Sequence, residues 1–274
     1  MTTSSSGNPT SPRPAGPSTE VSGRAREERP TPLARAVLAQ AAMESRLLVR
    51  SGESLIITLG IPLGVLVFFS LVDVLPTGER SAVEFLVPGV IAISVAATGL
   101  VAVGIQTAFE RKYGVLKRLG GTPLPRGGFL VAKGMSVAVI LALQTGLIVT
   151  VAIGFLDWRP TAGGTAVPIA VLVGALTCTA IGLLIAGTLR AEATLAITNA
   201  LFLVLLVISG VTFDAAALPD ALASVGLTLP VGALAQALRV GFDGGGFAIW
   251  PLLTLAGWGL VAGVVASRTF RWEP

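Results

Sequence analysis

The sequence predicts an all-α membrane protein: six transmembrane helices, an amphipathic interfacial helix before the first, and short outer helices between spans five and six. Three observations predict it. Charged residues make up 12% of the 274-residue chain and hydrophobic residues 53%, whereas soluble domains carry roughly 25% charged residues. Six apolar runs approach or exceed the ~20 residues that cross a hydrocarbon core. The charges gather in the connections between those runs rather than within them.

Residues 1–30 are rich in Ser, Thr, Pro, Gly and charge. Such a segment buries too little apolar surface to offset its ordering entropy, so it reads as a disordered tail. It has no apolar core like that of a secretory signal, and Glu20, Glu27 and Glu28 disagree with a transit peptide. Thr31-Pro32 then starts a helix over 31–50, Thr as its cap and Pro at its first position. At ~100° per residue, Arg35, Arg46 and Arg50 fall on one side and Leu33, Val37, Leu47 and Leu48 on another, with Glu44 breaking the apolar side. This is the pattern of a helix lying on the inner leaflet.

Residues 51–274 form the six-span domain, with spans at 54–74, 85–108, 129–155, 167–189, 194–211 and 247–267. Pro62, Pro88 and Pro168 fall inside spans and are expected to kink them. Gly60-x3-Gly64 and Gly259-x3-Gly263 have the spacing that lets helices approach closely. The turn 190–193 is short enough to make spans four and five antiparallel neighbours. The last outer segment, 212–246, is too long for a turn. Its apolar runs are broken at Leu218-Pro219, Leu229-Pro230 and Gly244-Gly245-Gly246, so short helices at or dipping into the outer interface are expected. With the N-terminus placed inside, 16 of the 19 basic residues lie on the inner side. The positive-inside rule therefore puts both termini in the cytoplasm of a multi-pass protein of the cytoplasmic membrane.

The charge pattern follows the membrane, which argues against nucleic acid as a partner. Histidine is absent, and the single cysteine, Cys178, lies in an apolar run, so a metal centre or disulfide is not expected. No Gly-x4-Gly-Lys-Ser/Thr phosphate loop occurs, so any nucleotide energy must come from another chain. The spans hold no midplane carboxylate; Glu110 and Lys133 sit at inner ends. That weakens the alternatives of an ion-coupled secondary carrier and of a membrane-embedded enzyme. Gln144 and Asn199 are the first candidates for a polar substrate pathway.

The densest polar feature is the inner loop 110–126. Tyr113 to Leu119 is expected to form a short helix, with Val115, Leu116 and Leu119 on one side and Lys117 and Arg118 elsewhere. Gly120-Gly121 then caps it, and Thr122-Pro123 starts the next segment. Apolar knobs with a basic rim suit a mechanical contact with a partner protein or a contact with anionic lipid; the pattern serves both equally.

The run Phe109-Glu110-Arg111-Lys112-Tyr113-Gly114-Val115-Leu116-Lys117-Arg118-Leu119, followed by Thr122-Pro123-Leu124-Pro125-Arg126, resembles the coupling segment of type-2 ABC transporter permeases. Gly210, Phe213, Leu218-Pro219, Leu222, Leu229-Pro230 and Ala237-Leu238-Arg239 are similar to that family's last outer segment. Lys133 precedes Gly134, whereas the family has Gly-Lys. The resemblance implies a permease subunit that is not itself an enzyme. Its implied partners are a second permease, identical or related, and ATP-binding subunits that hold ATP and Mg. Glu110, Arg111, Gly114, Val115, Leu116, Leu119, Thr122 and Pro123 would contact those subunits. The implied activity is export of a drug-like, antibiotic or lipid-like molecule.

Overall fold

The computed structural model describes residues 52–72, 81–114, 126–161, 164–211 and 219–270. The expected tail 1–30 and the expected interfacial helix 31–50, with Arg35, Arg46 and Arg50, lie outside them. Every regular element among the described residues is helical. In chain order these are α1 (Gly52–Leu71), α2 (Ala82–Lys112), α3 (Arg126–Phe155), α4 (Ala166–Thr188), α5 (Ala191–Ile208), α6 (Asp220–Thr228), α7 (Pro230–Phe242) and α8 (Ile249–Thr269). Five of them, α2, α3, α4, α5 and α8, are long and apolar enough to cross a membrane. They fall within a few residues of five of the predicted spans; α1, at the place of the first, has a shorter apolar part, Leu59–Leu71, and the bent pair of α6 and α7 is a sixth candidate crossing by length and composition.

The ends have local causes. Ser81 and Glu84 form a capping box: the serine hydroxyl accepts from the Glu84 N–H and the Glu84 carboxylate accepts from the Ser81 N–H. This starts α2 three residues before the apolar run. At its other end Tyr113 and Gly114 form a turn, with Gly114 at φ 72° and its N–H donating to Arg111 O at 3.0 Å. Glycine takes this left-handed helix-ending geometry without steric cost. The expected helix from Tyr113 therefore does not begin there; its remainder, 115–119, lies outside the described residues. Pro62 and Pro88 are inside helices. Pro168 sits in the first turn of α4, where no intrahelical N–H is lost.

α4 is the hub: α2, α3, α7 and α8 all pack on it. In the apolar stretch of each helix, 72% of α2 and 56% of α4 is buried, against 22% for α5 and 17% for α8. The last two thus turn large apolar faces outward, including Leu203, Val207, Leu260 and Val261. In a bilayer such faces meet hydrocarbon or other membrane helices.

Two departures from regular helix shape the core. α2 widens into a π-helical turn at Ala97–Ala102, and the carbonyls of Gly99 and Leu100 there lie against α4. A Cβ on Gly182 would come within 2.8 Å of Gly99 O and 2.7 Å of Leu100 O. Close approach therefore happens at Gly99, Gly104 and Gly182, not at the spaced pair Gly60 and Gly64, around which nothing lies within 4 Å. Of the other pair, Gly259 abuts Thr177 of α4, while Gly263 faces open space.

The second departure is the pair α6 and α7, bent by 82° at Leu229. Pro230 occupies the first turn of α7, and most of α7 is buried against α2, α4 and α8. The bend sits on the end of α5, where Gly226 and Gly232 allow backbone contact with Ile208 and Ser209. Trp258 Nε1 donates to Thr228 O at 2.9 Å, satisfying a carbonyl at the break. The short outer helices expected from the sequence are therefore present, and α7 belongs to the core.

Candidate functional site

At the basic end of the bundle, three consecutive residues close α2: Glu110, Arg111 and Lys112. Successive helical side chains diverge by ~100°, so these three point to three different helices.

Glu110 reaches α3. Its Oε2 pairs with Lys133 Nζ at 2.8 Å, and its Oε1 accepts from Gln106 Nε2 at 2.7 Å, one turn back on α2. The Lys133 side chain is 4% exposed and that of Glu110 22%. The ammonium also lies 5.5 Å from the centroid of the Phe129 ring, a cation–π contact. An ammonium this buried survives only with a carboxylate and further partners around it.

Arg111 reaches α4. It is 5% exposed, and its Nη2 donates to the carbonyl of Leu189, the cap residue of α4. A cation at a helix C-terminus meets unpaired carbonyls and the negative end of the macrodipole. Lys112 reaches α5, where it pairs with Glu192 in the first turn. That carboxylate also faces the positive end of the α5 dipole. Both partners are well exposed, so solvent screening leaves the pair weak. It orients the helices more than it holds them.

The same end gathers α8. Phe270 packs on Phe129 with ring centroids 6.0 Å apart and lies against Gly187 of α4. One turn of α2 therefore touches α3, α4 and α5 directly and, through Phe129, the end of α8. Gly114 and the segment 115–125 follow immediately. This arrangement ties one turn of α2 to three neighbouring helices. Among the described residues no group of three His, Cys, Asp or Glu side chains is placed to hold a metal ion.

Of the residues singled out from the sequence, Glu110, Arg111 and Gly114 lie at this junction. Val115, Leu116, Leu119, Thr122 and Pro123 lie outside the described residues. Gln144 and Asn199 occupy different environments. Gln144 is buried on α3, whereas Asn199 is exposed on α5 and donates from Nδ2 to Leu195 O at 2.7 Å on its own helix. Sequence reasoning gave Lys133 little weight, quoted Lys112 only within the coupling run, and did not single out Gln106 or Glu192 as site residues. The available signal was charge placement: Glu110 and Lys133 are opposite charges at the same end of two consecutive antiparallel spans.

The family model described as ABC-2 type transporter matches residues 36–242. No curated protein matches the chain. The matched stretch contains α1 through α7 and the whole Glu110–Lys112 junction, well over half of the chain, and the protein therefore belongs to the ABC-2 type transporter family.

Proposed function

We propose that this chain is the permease subunit of an ATP-driven exporter in the cytoplasmic membrane, both termini cytoplasmic, moving a drug-like, antibiotic or lipid-like molecule. It pairs with a second permease, identical or related, and with ATP-binding subunits that carry the ATP and Mg. In this reading residues 1–30 are a tail, 31–50 an interfacial helix whose Arg35, Arg46 and Arg50 face the lipid headgroups, and 51–274 the permease domain.

The observation that carries the mechanical part is the junction at the root of the basic loop. Closure of the ATP-binding subunits displaces the segment holding Val115, Leu116, Leu119, Thr122 and Pro123. The displacement enters α2 at Gly114, and Glu110, Arg111 and Lys112 pass it to α3, α4 and α5 together. The π turn at Ala97–Ala102, halfway along α2, gives that helix a place to change its winding, as such turns do at functional sites.

The test is reconstitution. The chain is purified from native membrane with its bound partners and placed in vesicles. ATP-dependent movement of a candidate cargo that disappears when the ATP-binding subunit is omitted supports the reading. Transport by this chain alone, without a nucleotide-hydrolysing companion, refutes it.

A further inference from the structure

At the end of the bundle away from the basic residues, the last turn of α7 is held by four other segments. Arg239 Nη2 donates to the carbonyl of Gly210 at 3.0 Å. Gly210, at φ 64°, follows the cap residue of α5. The guanidinium therefore sits at the carbonyl end of that helix, where a cation is favoured. It also lies 4.9 Å from the centroid of the Phe85 ring, near the start of α2, a cation–π contact. Gly241 lies against the start of α4, where an added Cβ would meet Val167 Cγ2 at 3.1 Å. Phe242 packs edge-on against Trp158 of the connection between α3 and α4, with centroids 4.9 Å apart.

Trp158 is aimed by a strained residue. Asp157 adopts φ 52°, a left-handed conformation that glycine takes freely and other residues only at a cost. It turns the chain back as α3 ends: Trp158 N–H donates to Ala152 O at 3.1 Å and the side chain is buried. Strain kept at such a point marks a place where position matters more than local stability.

From this turn α7 runs antiparallel to α4, with Gly241 beside Val167 and Leu234 beside Gly174. Leu234 is fully buried. One helical turn further along α4 comes Cys178, buried against Gly99 of the π turn. At 1.5 Å per residue it lies about 18 Å along α4 from Ala166. α7 thus stands between the far face and the middle of the core. The spans α2, α4 and α5, which Arg111 and Lys112 join at the basic end, are those that Arg239 and Gly241 join at the far end. Arg239 is only half-buried, so water can take over its contacts when they break, and the cost of release stays local.

We propose that the last turn of α7 is a releasable clamp. Closed, it holds the far ends of α2, α4 and α5 together and seals the core over Cys178. Released, it opens a path from the far face to the middle of the bundle. What that path serves rests on the exporter reading; the clamp does not.

Cys178, the chain's single cysteine, reports the seal. The full chain is reconstituted in phosphatidylcholine vesicles with a sulfonated maleimide, which does not cross lipid, on both sides of the membrane. Modification of Cys178 is followed by mass spectrometry at the same interval below each variant's Tm. The parent should react slowly. Arg239→Gln and, independently, Trp158→Ala should each raise the rate about tenfold. Trp158→Phe, which keeps an aromatic ring against Phe242, should stay near the parent. Lys133→Met, which loosens the basic end, should leave the rate unchanged. If Arg239→Gln fails to give monodisperse protein, Trp158→Ala decides. A parent thiol that already reacts like an exposed one overturns the proposal, as do clamp variants that leave it protected. An equal rise in Lys133→Met means general loosening and overturns it too. No partner subunit, nucleotide or cargo is present, so the outcome stands apart from the transport assay of the exporter reading.

Discussion

Replacing Lys133 with methionine leaves the Glu110 carboxylate with Gln106 as its remaining hydrogen-bond partner among those described above. Removing one member of a buried ion pair costs ~3–5 kcal/mol, because the other charge stays desolvated. Glu110 keeps 22% of its side chain exposed, so the lower end of that range, about 3 kcal/mol, is expected. For a domain of this size each kcal/mol moves Tm by ~2–4 °C, which makes the shift about 6–12 °C downward. The informative variant is the double replacement Glu110→Leu with Lys133→Met. An apolar pair of similar volume is often neutral or stabilising relative to a buried ion pair. The double variant should recover most of the lost Tm. A junction that transmits force, however, needs the directed contact, so ATP-dependent transport in reconstituted vesicles should remain depressed in the double variant. Thermal unfolding in detergent and transport, measured on the same preparations, complete the cycle. Transport restored together with Tm would show that the pair only holds the fold. A Tm unchanged in Lys133→Met would show that the pair contributes nothing, and the argument for the junction would fail at its first step.

Three further outcomes are expected. Gly182→Ala should destabilise by ~1–3 kcal/mol, since the new methyl meets the Gly99 and Leu100 carbonyls at under 3 Å. Gly60→Ala, inside α1 with open space around it, should leave thermal unfolding unchanged or raise it slightly through helix propensity, and equal effects of the two would contradict the packing described. Lys112→Ala should leave the melting curve close to that of the parent, because the pair with Glu192 is exposed and screened by solvent; a large drop in Tm would contradict this. Leu116→Arg should leave membrane insertion intact but weaken capture of the ATP-binding subunit in a pull-down, and unchanged capture would remove Leu116 from the contact.

How much could be read in advance depends on how local each feature is. The spans are written in runs of ~20 apolar residues, and the helix ends in Ser81, Glu84 and Gly114, within a few residues of where they act. Glycine spacing misled where contact was concerned. Gly60-x3-Gly64 has the close-packing pattern yet faces open space, while Gly99 and Gly182, in no such pattern, touch backbone to backbone. The order Lys133-Gly134 departs from the family's Gly-Lys and says nothing of the ion pair, which depends on α2 bringing Glu110 opposite Lys133.

The chain alone settled that this is a helical membrane protein with several spans and a concentrated basic loop, because hydrophobic run length and charge placement are properties of contiguous sequence. Only the folded bundle decided that Glu110, Arg111 and Lys112 grip three separate helices, that α2 unwinds into a π turn against Gly182, and that α7 bends into the core. Those outcomes depend on the rotation and depth of each helix relative to its neighbours. They are set by packing over residues as far apart as Arg111 and Leu189, and no local window contains both.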